Sequence, residues 1–475
     1  MAGSVQGSPG FDLQPSSEQV ALSSNYITNF DFLNQYLPDT YEKEFERYGN
    51  RTVASFLRLV GAEMPSNSDL IKWAEQGRLH TKYVDVTCAA GSASAALWTI
   101  SDVLKPGSGS VAVRVGQTVM LTRNSGGANL KALVTLVDTA AGTVNLAYYG
   151  ANHTGVAGEK YTMFIYGSEF KKGTAGMEGS LEADDVFFEN KPIILKDRYA
   201  VSGSDMAQIG WVEVTTENGA SGYLWYLKSE HETRLRFDDY LETSMLEAVP
   251  AIQNSGAAAA LGNAAAANTG AGSEGIFYVV NQRGNVWSGG NPNVLGDFDS
   301  IIQRLDKQGS IEENVIFVDR QFGFDIDDML AAQNSYGAGG TSYGLFDNDQ
   351  EMALNLGFTG FRRGYDFYKS DWKYLNDPTM RGGLPSGSGS GRINGLMVPA
   401  GSTSVYDQIL GKNAKRPFLH VRYRASETED RRYKTWITGS AGGAQTSSLD
   451  AMEVNFLSER AVCTLGANNF FIFEE

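Results

Sequence analysis

The densest run of like charge in the chain comprises Lys415, Arg416, Arg422, Arg424, Arg431, Arg432 and Lys434, with only Glu427, Glu429 and Asp430 between its ends. Alternate residues of a strand share a face, so Arg422 and Arg424 point the same way. Guanidinium forks match the geometry of phosphates and carboxylates. The cluster therefore suits phosphate, a neighbour's carboxylates, or a solvated face. The chain carries a formal net charge of −16. In such an acidic chain, salt bridging to another subunit is the preferred reading and phosphate contact the second.

The remaining chemical candidates are weaker. Gly387-Ser388-Gly389-Ser390-Gly391-Arg392 looks like a phosphate loop but lacks the Gly-Lys-Ser/Thr ending and a preceding strand. Asp347-Asn348-Asp349-Gln350-Glu351 offers oxygens without the Gly and Glu spacing of a calcium loop. Asp325, Asp327 and Asp328 read as acids of a helix first turn, where the dipole favours them. His80, His153, His231 and His420 contain no pair at i, i+4. Gly203-Ser204 and Gly401-Ser402 lack the setting of a nucleophile elbow. Cys88 and Cys463 read as small buried hydrophobes. No catalytic, cofactor or metal site is expected, and a cryptic carboxylate pair such as Asp325 with Asp327 is the enzymatic rival.

These residues need a frame to hold them. The chain has 475 residues, suggesting about three domain-sized units at roughly 150 residues each. Hydrophobic residues make up 42%, enough for large cores and too many for global disorder. Two Cys exclude a disulfide framework and a four-Cys zinc site. The acidic balance argues against coating nucleic acid. No apolar run is long enough to span a membrane. Met1–Gly10 shows no basic patch followed by an apolar run, so no secretory signal is expected.

The order of elements is the strongest signal. Residues 1–38 read as a polar arm with aromatic anchors. Residues 39–102 read as peripheral helices and a strand: Tyr41–Tyr48, then a stripe of Val53, Phe56, Leu57 and Val60, then a helix capped by Ser68 that carries Leu70, Trp73 and Ala74. Short β-type runs separated by Gly-rich turns mark 103–167 as an inserted small barrel or sandwich. Residues 168–217 suit a long two-stranded excursion. Residues 218–253 hold a long helix stopped by Pro250. After an Ala/Gly stretch, 254–400 reads as α/β: Ile276–Val280 as a strand, a helix from Asp297 to Gln308, Asn314–Asp319 as a buried strand, and a helix capped by Asp325. Residues 401–475 return to strands.

This α+β order of arm, excursion, rod, α/β region and strand-rich end resembles the major capsid proteins of tailed bacteriophages, the Hong Kong 97-like fold. Local text is similar too: Lys191-Pro192-Ile193-Ile194-Leu195-Lys196 followed by Ala200-Val201-Ser202-Gly203-Ser204 is similar to extended-loop text. Ile393–Pro399 and Asn455–Phe473 resemble C-terminal text of podovirus-type and crAss-like phage capsid proteins. The resemblance implies an N-arm, an extended loop, a peripheral domain with a spine helix, and an axial domain, interrupted by the β domain. It implies a self-assembling icosahedral shell of hexamers and pentamers, built in the host bacterial cytoplasm around double-stranded DNA without sequence-specific binding. It further implies a separate scaffolding protein, a portal and decoration proteins as partners. Arg198, Lys196, Arg416, Arg422, Arg424, Arg431 and Arg432 become candidate inter-subunit contacts. An encapsulin-like cellular shell and an extracellular glycan-binding protein, favoured by exposed aromatics on the β domain, are the alternatives.

Overall fold

The computed structural model describes Phe56, His80 and residues 62–78, 82–88, 96–100, 111–150, 155–179, 185–207, 213–215, 221–252, 254–261, 272–308, 311–334, 359–385, 391–400, 402–407, 412–441 and 445–475. The expected arm, the Tyr41–Tyr48 helix and the acidic run 347–351 lie outside them. The chain divides into two compact units. One takes in 1–51 and 210–225, and its described strands β11 (Glu213–Thr215) and β12 (Ser221–Tyr223) pair antiparallel. The other contains everything that follows here.

Its first sheet is organised on β22 (Ala451–Thr464), a strand of 14 residues. β10 (Ile193–Ser202) runs antiparallel along one side of it, and β21 (Lys434–Gly439) and β20 (Leu419–Arg424) share the other. β1 (Ala62–Ser66) adds parallel to β20 at the edge. Helix α1 (Leu224–Glu247) buries Phe237 and Leu241, four apart and so on one face, against Met452, Val454 and Phe456 of β22. One turn on, Met245 and Leu246 enter the main core with Leu419, Val421 and Val462.

The second sheet has the order β13 (Asn285–Trp287), β23 (Phe471–Glu474), β17 (Ile393–Pro399), β14 (Glu313–Val318), β16 (Tyr365–Asp371) and β15 (Gly360–Arg363). Both faces are covered, so its strands read as continuous apolar runs. The period of two sorts them. Ile316, Val318, Met397, Phe471 and Phe473 face α3 (Leu295–Gln308) and α4 (Arg320–Asn334), meeting Phe298, Ile301, Leu305, Phe322 and Ile326. Phe317, Leu396, Val398 and Ile472 face the other way, onto α2 (Ile276–Arg283), Phe56 and Trp372. Phe56 stacks on Trp372 at 4.5 Å and meets Phe317 edge-on.

Between these parts of the chain, β3 (Lys82–Cys88), β4 (Ala96–Ile100), β7 (Thr143–Tyr148), β6 (Leu130–Asp138), β5 (Gln117–Arg123) and β8 (Lys160–Ser168) close a barrel with its own core. Two of its strands precede residue 103, where the sequence placed the start of the β domain. Trp98 is fully buried at its centre, edge-on to Tyr161 at 4.9 Å and donating from Nε1 to the Tyr148 hydroxyl at 3.1 Å.

Four expectations are corrected. The Ser68-capped segment is a strand, β2 (Ile71–Gln76), paired with β9 (Asp185–Asn190). Its burial alternates from Ile71 to Gln76, a period of two that the i, i+3, i+4 reading of Leu70, Trp73 and Ala74 missed. Ile276–Val280 is helical: a short apolar run carries no period of its own, and burial of Ile276, Phe277, Val279 and Val280 suits either form. Helix α4 begins five residues before Asp325. Asp319 is its cap, accepting from the Phe322 N–H at 2.7 Å. The 168–217 region is no internal hairpin, because β9 pairs with β2 while β10 pairs with β22. Strands β18 (Ser402–Asp407) and β19 (Lys412–Pro417) form a separate hairpin.

Gly155 marks the tightest point of the barrel. A Cβ there would lie 2.6 Å from the Trp98 ring and 2.9 Å from the Cys88 sulfur. Gly155→Ala should therefore destabilise the barrel by about 1–3 kcal/mol through overpacking. Thermal unfolding followed by near-ultraviolet circular dichroism checks this.

Candidate inter-subunit ion-pair face

The basic run turns out to be neutralised from afar. Glu459 of β22 is buried between two guanidiniums. Arg431 approaches one of its oxygens at 2.7 Å, as an ion pair without hydrogen-bond alignment, and Arg424 the other at 3.5 Å. Arg424 also binds the Asp69 carboxylate and donates to the Asn67 carbonyl at 3.4 Å. Arg422 donates to the Pro65 carbonyl at 3.2 Å. Arg432 binds Glu63 and lies over the Tyr423 ring at 5.6 Å. Glu63 in turn stands 3.5 Å from Arg460. Thus β1 and the turn after it are held to β20 and β22 by four arginines as well as by the ladder.

Arg460 is the most enclosed of these cations. It donates to the Ser458 hydroxyl at 2.9 Å and the Arg432 carbonyl at 3.0 Å. Burial lowers its pKa, against the raising influence of Glu63. Its charge is sustained because acceptors surround it.

The other candidates scatter. Arg198 of β10 is exposed and pairs with Glu453 of β22 at 2.9 Å. Its neighbour Asp197 receives Arg236 of α1 at 3.2 Å. Lys196 is exposed on β10 and makes no ion pair among the described residues. Arg416 lies on β19 opposite Thr403, and its side chain is outside the described residues. The structure thus gathers Arg422, Arg424, Arg431 and Arg432 at β1 and β20, and leaves Arg198 and Lys196 on β10.

The expectation of an underbalanced cluster is thereby corrected. Glu63, Asp69 and Glu459 were missed because a count between Lys415 and Lys434 sees only local acids. Arg432 and Glu63 are 369 residues apart in the chain. The only available signal for Glu459 was its place beside Arg460 in an otherwise apolar strand. The altered geometry also changes what a double charge reversal of Arg422 and Arg424 does: a carboxylate at 424 would face Asp69 and Glu459, so the single subunit suffers as well as any contact it makes.

Among the described residues, no group of three or more His, Cys, Asp or Glu is placed to hold a metal ion. Asp325 accepts from Gln321 at 3.0 Å and Asn291 at 2.7 Å, and Asp327 receives Lys369. Their oxygens serve internal bonds. Among the described residues, no helix is long and apolar enough to cross a membrane.

No protein-family model matches the chain. No curated protein matches it either. Among solved structures it is similar to a protein of Microbacterium phage Oxtober96, with 11% identity and a TM-score of 0.40 over 94% of this chain and 99% of that one. It is similar to the capsid of a native GTA particle, with 8% identity and a TM-score of 0.39 over 92% of this chain and 95% of that one. A holo-encapsulin complex from Synechococcus elongatus PCC 7942 gives 9% identity and a TM-score of 0.33 over 62% of this chain and 77% of that one.

Two outcomes test the electrostatics. Glu459→Gln leaves Arg424 and Arg431 half-buried without their shared carboxylate and should cost about 2 kcal/mol in denaturant unfolding. Asp319 is the second case. Burial raises its carboxyl above the ordinary value of 3.8, against the lowering effects of the Phe322 N–H and Arg392. A raised folded value means that protonation favours the folded chain, so this group's contribution declines as pH rises above 3.8. Asp319→Asn keeps a capping oxygen and should remove that slope. Unfolding midpoints of the two proteins across the acid range should converge at the acid end and separate as pH rises.

Proposed function

We propose that this chain is the major capsid protein of a tailed bacteriophage, with a Hong Kong 97-like fold, and that many copies assemble into an icosahedral shell. The observation that carries this reading is the order of parts. A helix of 24 residues, Leu224–Glu247, lies along the β22 sheet, and the α/β segment that follows it builds a six-stranded sheet covered on both faces. The first assembly is the peripheral domain and its spine. The second is the axial domain. The barrel is an inserted domain outside the plate.

The physics suits a shell. Each contact between subunits can be weak, because a closed lattice sums many of them. The net charge of −16 keeps the wall from gripping the DNA it encloses. Hexamers and pentamers, a scaffolding partner, a portal and decoration proteins complete the reading, with the virion as the final location and the host cytoplasm as the place of assembly. The β10 edge, with Lys196 and Arg198 on its exposed face, is the inter-subunit contact this reading favours. The arginines beside β1 act first to hold the subunit together.

Negative-stain images of the expressed protein should show closed particles. Monomers under every assembly condition would refute the reading. Lys196→Glu should reduce particle yield several-fold while shifting subunit stability by less than about 0.5 kcal/mol, since it breaks no internal pair. Unchanged particles from that variant would remove β10 from the contact.

A further inference from the structure

The outer wall of the barrel carries a group of aromatic side chains that its core does not use. Tyr149, Phe164 and Tyr166 are 51%, 38% and 46% exposed. Register places them together. Phe164 of β8 stands opposite Met120 of β5, which stands opposite Lys131 of β6. The Tyr149 N–H donates to the Lys131 carbonyl at 3.2 Å. Across β5, the Lys131 ammonium reaches to 5.7 Å from the centre of the Tyr166 ring. The Tyr149 hydroxyl donates to the Glu169 carboxylate. Phe164 and Tyr166 are two apart on one strand and share this outward face.

We propose that this face of the barrel, formed by Tyr149, Tyr166, Phe164, Met120, Lys131 and Glu169, binds a neutral oligosaccharide. Three properties select that class of ligand. First, exposed rings present flat apolar area with polar tips, which matches the C–H faces and hydroxyl rims of sugar rings. Second, the polar groups alternate in kind: an ammonium that only donates, a carboxylate that only accepts, and two phenols that do both. Third, Lys131 and Glu169 cancel, so the patch has no net charge with which to attract a polyanion or a polycation.

Two other occupants fit less well. A peptide strand needs an open sheet edge, and the closed barrel offers none. A second copy of the chain would need an apolar centre cleared of charge, whereas Lys131 and the Tyr149–Glu169 bond sit among the rings. Burial and the adjacent Glu169 push the Tyr149 phenol up to about 12, so it remains a proton donor at neutral pH. The inference is independent of shell assembly, since it concerns the barrel's outer surface alone.

The test titrates the full chain with maltohexaose, cellohexaose and chitohexaose, and separately with heparin, following saturation-transfer NMR and isothermal calorimetry. At least one neutral hexasaccharide should bind, and Tyr149→Ala and Tyr166→Ala should each weaken it by about tenfold. Heparin should not compete. Tyr149→Phe, which removes only the hydroxyl, guards against a folding defect and should weaken binding by a smaller factor. Absence of binding to all three hexasaccharides at about 10 mM would overturn the proposal. So would binding that both alanine variants leave unchanged, stronger binding of heparin, or a shift of the alanine variants' sedimentation that reveals copy-to-copy contact at this face.

Discussion

Strand β22 is the constraint on which the rest of this structure depends. Nine consecutive residues, Phe456 to Thr464, are buried, and they include Glu459 and Arg460. Burying two charges side by side is costly unless each finds partners. Those partners must come from elsewhere in the chain, and they do: Arg424 and Arg431 meet Glu459, while Glu63 and the Arg432 carbonyl meet Arg460. The need to satisfy this pair is what brings β1, from early in the chain, to the edge of a sheet built from its end. Replacing both charges by apolar residues of similar size could leave stability intact, but it would release β1 from a defined register.

From that strand the architecture spreads in two directions. One face of the sheet accepts the apolar stripe of α1, so the helix and β22 fix each other's orientation. At its far end β22 turns through Gly466, with φ of +62°, into β23. β23 then lies between β13 and β17 in the second sheet. A polar hub secures the junction: the buried Asn285 side chain donates to the Asn468 carbonyl at 2.7 Å and exchanges amide bonds with Gln308 at 3.0 and 2.9 Å. Asn190 plays the same part nearby, donating to the Val462 carbonyl at 2.6 Å and accepting from the Glu274 N–H at 2.9 Å. Two sheets with separate cores are thus joined through one polypeptide end.

Much of this was legible where a segment's own period decided its structure. The stripe Phe298, Ile301 and Leu305 announced α3, and the apolar runs at Asn314–Asp319 and Phe470–Phe473 announced buried strands. The long helix showed through its charge pairs and its stop at Pro250. Legibility failed where tertiary context decided. Ile276–Val280 has no period to separate helix from strand. Ser68 can start a turn as well as a helix, and here its hydroxyl donates to the Leu70 carbonyl at 2.9 Å just before a strand. The site failed for a related reason: the acids that complete it lie on β1 and β22, and nothing local to the arginines points there. The aromatic wall of the barrel was hidden because alternation alone does not say which residues of two neighbouring strands meet.

The central claim is that this subunit is built to close a shell. Sedimentation velocity of the purified chain, taken through a range of salt and protein concentration, tests it most directly. The account predicts a discrete fast-sedimenting boundary of fixed size, holding hundreds of copies, that grows in amount but not in size as concentration rises. A single slow boundary of the isolated chain throughout, or a continuous ladder of aggregates without a limiting size, would contradict it.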